Sequence, residues 1–147
     1  QENNHLLADR DEAVRALLDL ILIQCKRWYP AQNMDEKFSK SRILVKRFKQ
    51  LIEEKCQENL AVKAYAEWLG VTPNHLSETV KMITGRTSTD LINDRMMMEI
   101  KRMLVHTELT VSEIAYRLNF ADQSYFSKYF KKLSQQSPLE FKNAALK

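Results

Sequence analysis

Apolar positions recur along this chain at intervals of three and four residues, the spacing of one face of an α-helix. The pattern is plainest in the last third. Ile114, Ala115 and Leu118 give a short helix a buried face, and Phe126, Tyr129, Phe130 and Leu133 fall at i, i+3, i+4 and i+7 of a second. Between them, Asn119 tolerates the left-handed backbone of a tight turn, and Asp122 is a good N-cap for the second helix. Thr110 and Glu113 have the spacing of a capping box, with Leu109 and Ile114 placed to staple around it. The opposite face of the second helix carries Gln123, Ser124, Ser127, Lys128 and Lys131, side chains that reach base edges or phosphates. The layout predicts a helix-turn-helix with 123–133 as its recognition helix. A plain helical hairpin with a solvated polar face is the bland alternative.

An upstream copy favours the first reading. A short helix over 61–69 is followed by Gly70 at a turn, Thr72 as a cap and Pro73 at the first helical position, where its missing N–H costs nothing. Leu76, Thr79, Val80 and Ile83 repeat the same spacing, and Gly85 ends the helix as a left-handed cap. Leu69 and Val71 match Leu118 and Phe120 at an offset of 49, while Leu76, Ser77, Val80 and Lys81 match Phe126, Ser127, Phe130 and Lys131 at an offset of 50. The extra residue lies in the second turn. Residues 88–106 lack Gly and Pro and predict one continuous linker helix, with Leu91, Ile92, Met96, Ile100, Met103 and Leu104 on its apolar side. At ~1.5 Å per residue it spans roughly 28 Å. A stiff spacer of that length can set two recognition helices about one DNA turn apart, roughly 34 Å. The methionines at 96–98 read as helix formers and gap fillers.

The remaining pattern predicts a polar, frayed start over 1–8, a helix over 9–29, a loop or linker over 30–41 and a helix over 42–57. Val14, Leu17, Leu18, Ile21, Cys25 and Trp28 form a stripe in the first of these helices, and Leu20, Leu22 and Ile23 add apolar surface outside it. A helix apolar on more than one side needs partners, so homodimerisation through 9–29 is expected. Leu44, Phe48, Leu51, Ile52 and Lys55 or Cys56 give the helix over 42–57 one apolar face. The fold class is all-α, with two helix-turn-helix subdomains joined by a long linker helix and an extra N-terminal helix. The expected domains are 1–40 and 41–147.

Charge sharpens this picture. Residues 1–37 hold 5 Lys or Arg against 7 Asp or Glu, whereas residues 38–147 hold 18 against 12. The basic part is the part with the repeated motif, which favours a polyanionic partner. Cys25 and Cys56 are isolated, with neither CxxC spacing nor histidines at ligand distance, and read as reduced, partly buried thiols. No leader or membrane span is apparent, so a cytoplasmic location is expected. The chain begins at Gln1 rather than Met, which suggests a fragment or processed form. No nucleophile–base constellation, carboxylate pair or Gly-rich phosphate loop is visible, so neither an enzyme nor a cofactor is expected.

The residues resemble the DNA-binding domain of AraC-type transcription regulators over about 43–143. The resemblance rests on YAEWLGVTPNHLSETVKMITG, on LINDRMMMEIKRML, and on VSEIAYRLNFADQSYFSKYFKK followed by SPLEF. Ile114, Ala115, Phe120, Ser124, Tyr125, Phe126, Phe130, Lys131 and Pro138 stand close to the family signature. Asn119 and Gln135 replace usual glycines, Val80 a common Phe, Ile100 a common Ala, and Ala61 a usual Ser or Thr cap. The resemblance implies sequence-specific binding of double-stranded DNA through motifs at about 61–84 and 110–133, and an effector or dimerisation domain ahead of residue 41.

For base contact the candidates are Asn74, Ser77 and Glu78 in the first recognition helix, and Gln123, Ser124, Ser127 and Lys128 in the second. Asn74 can pair bidentately with adenine. Glu78 can accept from cytosine N4, or is a tolerated surface charge. His75 either touches DNA or packs. Lys81, Arg86, Lys131 and Lys132 are the expected phosphate contacts, and Arg95 is expected to pair with a carboxylate. A protein-interaction module meeting an acidic partner, RNA polymerase among the candidates, is the alternative function.

Overall fold

A computed structural model describes the backbone of residues 2–28 and 31–145, and the side chains of 13–25, 27 and 36–145. Among the described residues the regular structure is helical. The α-helices are α1 (Glu2–Trp28), α2 (Ala31–Lys55), α3 (Val62–Trp68), α4 (Pro73–Thr84), α5 (Ser88–His106), α6 (Val111–Arg117), α7 (Gln123–Ser134) and α8 (Pro138–Ala145), with a 3-10 turn at Cys56–Glu58. Two compact units divide between residues 40 and 41. No described helix is long and apolar enough to cross a membrane.

The first unit holds α1 and the start of α2. The structure corrects two expectations here. Helix α1 begins at Glu2 rather than after a frayed start. The loop expected over 30–41 is helical from Ala31 onward. Polarity misled the reading: the segment is rich in Gln, Met, Glu and Lys, which are good helix formers, and contains no Gly or Pro after Pro30. Glu36 and Lys40 also pair at 2.8 Å in the favourable i, i+4 order. Tyr29, Pro30 and the side chain of Trp28 lie outside the described residues. Val14, Leu17, Leu18, Leu20, Ile21, Leu22 and Ile23 are all exposed along α1, from 49% at Val14 to 60% at Leu17.

The second unit is built on two cores that share α5. Val45, Phe48 and Ile52 of α2 pack with Tyr65 and Ala66 of α3 and Leu76 and Val80 of α4, and Leu91 and Ile92 of α5 close the edge. Further along, Met96, Met97, Ile100, Met103 and Leu104 of α5 pack with Ile114, Ala115, Leu118, Phe120, Phe126 and Phe130. The two groups α3–α4 and α6–α7, called module 1 and module 2 below, thus hang on one rod. Leu133, expected in the core stripe, is 41% exposed. Seven residues fall about 20° short of two helical turns, so a stripe begun at Phe126 rotates toward solvent by its end.

A buried carboxylate ties α2 to α5. Glu99 is 4% exposed. It accepts hydrogen bonds from Arg102 at 2.7 and 3.1 Å, from Gln57 at 3.0 Å and from Arg95 at 3.5 Å. Arg95 donates in turn to Glu53 at 2.5 Å, the carboxylate pairing expected of it. The Arg102 hydrogen bond, joined by those of Gln57 and the charge of Arg95, holds Glu99 down at about 2. Buried charges persist when paired in this way.

Candidate nucleic-acid interface

Modules 1 and 2 repeat each other's turn bonds and the end bonds of the recognition helix. In module 1 the turn closes through Leu69 N–H to Tyr65 O, Gly70 N–H to Glu67 O and Val71 N–H to Ala66 O, at 3.0–3.1 Å. In module 2 the same three bonds run from Leu118, Asn119 and Phe120 to Ile114, Tyr116 and Ala115, each at 3.0 Å. Gly70 has φ 66° and Asn119 φ 57°, so both turns pass through the left-handed region.

Each recognition helix follows with 12 residues. Thr72 Oγ1 accepts from His75 N–H at 3.2 Å, and Asp122 Oδ1 accepts from Tyr125 N–H at 2.7 Å. These caps satisfy N–H groups that a helix start leaves open. At the other end, Gly85 N–H reaches Lys81 O and Gln135 N–H reaches Lys131 O, both at 2.9 Å, with φ 72° and 65°. Thr84 and Ser134 turn their hydroxyls back onto Val80 O and Phe130 O at 2.7 and 2.8 Å. Leu76 and Val80 bury one face of α4, and Phe126 and Phe130 the same face of α7. The buried faces fix which residues point outward.

Those outward residues are the candidates. On α4, Asn74, His75, Glu78 and Lys81 are exposed and Ser77 is half-buried. His75 is exposed rather than packed in the core. Asn74 Nδ2 donates to Glu78 Oε1 at 3.0 Å, so two of the three base-reading candidates of α4 hold each other in place. On α7, Gln123, Ser124, Lys128, Lys131 and Lys132 are exposed and Ser127 is half-buried. Arg86, placed at the start of the connection to α5, donates to Asp94 Oδ2 at 2.6 Å. That hydrogen bond raises the pKa of the guanidinium, and phosphate would compete with Asp94 for it.

Sequence reasoning missed the polar ties that position the modules. Tyr129 donates to Asn93 Oδ1 at 2.9 Å, linking α7 to α5, and burial pushes its phenol up to about 12. Asn119 Nδ2 donates to Glu58 O at 3.2 Å, and Asn59 Nδ2 donates to Asn119 O at 3.4 Å. The spacing of Glu99 to Arg95 and Arg102 was a visible signal of an ion-pair row. Nothing local signals bonds that span about sixty residues, such as those at Asn59 and Asn119.

A family described as a helix-turn-helix domain matches residues 65–144, more than half of the chain. The chain belongs to the AraC-type helix-turn-helix family. The C-terminal domain of AraT, a response regulator from Geobacillus stearothermophilus, is similar at 33% identity and a TM-score of 0.64, covering 69% of this chain and 84% of that one. Histidine kinase P4 from Formosa agariphila is 28% identical over 102 residues, covering 69% of this chain and 7% of the kinase. The transcriptional activator RhaS from Salmonella schwarzengrund is 30% identical over 91 residues, covering 62% of this chain and 33% of RhaS. The chain therefore spans a third or less of these two curated relatives. The AraC-type match runs from Tyr65 in α3 to Ala144 in α8, so it takes in both modules and the rod between them. This segment is an AraC-type DNA-binding domain.

Proposed function

We propose that residues 41–147 read an operator with α4 and α7 in successive major grooves, α5 setting the distance between them. The observation that carries the proposal is the repeat of the turn and helix-end bonds of α3–α4 in α6–α7. It presents two faces of like geometry and unlike sequence: Asn74, Ser77, Glu78 and Lys81 on one, Gln123, Ser124, Ser127 and Lys128 on the other. Base edges are read by Asn, Gln, Glu and Lys, and Lys81, Arg86, Lys131 and Lys132 hold phosphate. The regulator does no chemistry of its own and works in the cytoplasm. Residues 1–40 end a preceding effector or dimerisation region, a reading supported by the small share of the curated relatives that the chain spans.

Selection from a random duplex pool gives the operator. Lys128→Ala then weakens the selected site by ~1–3 kcal/mol more than random DNA, the worth of a base-specific contact. Equal losses on both duplexes make Lys128 a phosphate contact, and no enriched sequence removes the reading of bases altogether.

The exposed apolar side chains of α1, Val14 to Ile23, support self-association of the whole chain. Sedimentation of the full chain beside one starting at Lys37 decides this. A monomer in both at tens of micromolar rejects it.

A further inference from the structure

In module 1 the turn between the helices uses Gly70 at φ 66°. Module 2 uses Asn119 at φ 57° in the same place, closing the same three backbone bonds. Glycine adopts this backbone without steric cost, and asparagine does so less easily. The turn itself therefore gives no reason for asparagine. The reason lies across the domain. Asn119 Nδ2 donates to Glu58 O at 3.2 Å, and its own carbonyl accepts from Asn59 Nδ2 at 3.4 Å. Asn59 is itself left-handed, at φ 50°. Two asparagines in left-handed turns, sixty residues apart, thus each donate across the domain, Asn59 to the carbonyl of Asn119 and Asn119 to that of Glu58, the residue before Asn59.

These bonds join module 2 directly to the connection leading into module 1. The residue before that pair, Gln57, donates to Glu99 of α5 at 3.0 Å. The connection 57–59 is therefore pinned at two separate places, the middle of α5 and the turn of module 2. Core packing and the Tyr129–Asn93 bond hold the modules on α5. A tie away from that axis opposes a twist of one module against the other.

We infer that Asn59 and Asn119 are positioning residues that fix the angle between the two recognition helices, and through it the number of base pairs between the two sequence blocks the protein accepts. This rests on the two-groove reading above. Loosening the pair lets module 2 swing about α5, so that blocks one base pair nearer or farther are tolerated.

Glycine substitution separates this role from folding. Asn119→Gly keeps the turn in a backbone that suits glycine better, and deletes the donor to Glu58. Asn59→Gly likewise relaxes its own φ and deletes the donor to Asn119. Two measurements test the inference on the full chain carrying Cys25→Ser. First, spin labels at Glu67→Cys and Tyr116→Cys, both exposed on α3 and α6, report the distance between modules without DNA. The parent gives one narrow distribution, and the Asn59→Gly/Asn119→Gly form a broader one at an undiminished melting temperature. Second, selection from a random duplex pool, without the labels, yields two blocks at one spacing for the parent and the same blocks at two or more spacings for the variant. An unchanged distance distribution overturns the inference, as does an unchanged single spacing. If the parent enriches no blocks at all, the two-groove reading fails, and the label distances alone decide whether the asparagines fix the angle.

Discussion

Module 1 and module 2 bend the backbone alike and fill it with different side chains. At the turn the pair is Gly70 and Asn119, and at the C-cap of the recognition helix Gly85 and Gln135. In the core, Leu76 and Val80 face Phe126 and Phe130. In module 1, Tyr65 of α3 is edge-on to Trp68 of the same helix at 5.9 Å and to Phe48 of α2 at 5.6 Å. In module 2, Phe120 meets Phe126 at 5.1 Å within the module, and Phe130 meets Phe141 of α8, outside it, at 5.7 Å. The bond pattern of the motif dictates where the chain must turn left-handed. The residue found there decides only whether that conformation is relaxed or strained. Module 1 is relaxed at both points, whereas module 2 tolerates strain at both and packs the larger rings.

The difference in packing gives the largest expected effect. Phe126→Ala removes a ring that is fully buried and in edge contact with Phe120, and costs about 3–5 kcal/mol. Leu76→Ala, its counterpart, costs about 2–5 kcal/mol, set by how far α2 can close over the gap. Denaturant unfolding gives both totals, and hydrogen exchange shows which module opens. If Phe126→Ala weakens protection in α4 as much as in α7, the two cores are one cooperative block.

The next effect belongs to the rod that the modules share. Glu99→Gln keeps the shape of the side chain and removes the charge that Arg102 and Arg95 face. At neutral pH the loss is about 1–3 kcal/mol, the worth of hydrogen bonds to a charged group. Its pH dependence identifies it. Folding lowers Glu99 from 4.5 to about 2, so its contribution is complete above pH 4.5 and disappears as pH falls toward 2. The parent therefore loses more stability than Glu99→Gln across that window, and the two curves converge in acid. Asp90, Glu113 and Glu140 are also lowered, each by hydrogen bonds to the Thr or Ser that it caps, but they are common to both proteins and cancel. Parallel curves would deny Glu99 this role.

Exchanging the C-caps tests strain itself. A Cβ added at Gly85 meets nothing within 4 Å, so Gly85→Gln introduces only the left-handed backbone, at about 1–2 kcal/mol. Gln135→Gly should return a similar amount, less the bond from Gln135 Nε2 to Lys132 O at 3.3 Å. Opposite shifts in melting temperature are expected. Shifts of the same sign would mean that the side chains matter more than φ.

The sequence revealed the parts of the fold that local rules govern. The capping box of Thr110 and Glu113, the caps Thr72 and Asp122, the left-handed end at Gly85 and the span Ser88–His106 are each set by residues within one or two turns. The start of α2 was hidden because a polar helix and a polar loop share a composition. Met97, 8% exposed, was left out of the stripe because α5 turns from one core to the other and buries a wider face than a single stripe predicts. At the candidate site, the outward faces of α4 and α7 followed from their buried faces. The bonds from Asn74 to Glu78 and from Arg86 to Asp94 did not, since several partners of suitable charge lay in reach of each. Asn119 was legible as a departure from glycine, but its purpose needed Glu58 and Asn59 brought beside it by the fold.

The smallest expected effect lies at the start of each module. Thr110 accepts from Glu113 N–H at 3.2 Å, and Glu113 Oε2 accepts from Thr110 N–H at 2.7 Å. Ala61 occupies the same place in module 1 with nearly the same backbone, φ −76° and ψ 159° against −71° and 161°, and offers no side-chain acceptor. Asn59 does not stand in for it, since Ala61 is the N-cap of α3 and the start of that helix has no side-chain cap bond. Ala64 N–H makes do with a tight bond to Ala61 O at 3.0 Å. Since Ala61 is exposed and its backbone is already extended, Ala61→Ser adds the missing oxygen without moving the chain. Its gain is about 0.5–1 kcal/mol, at the low end for a cap because only half of the box is restored, Ala64 having no carboxylate to return. Thermal melts of the two proteins read this directly. Thr110→Ala should lose at least as much as Ala61→Ser gains, because it removes both the acceptor for Glu113 N–H and the hydroxyl's own bond to Glu113 Oε2, and leaves only the carboxylate's bond from the backbone N–H. Should the two changes be equal in size, the bond from the Thr110 hydroxyl to Glu113 Oε2 adds nothing beyond the cap itself.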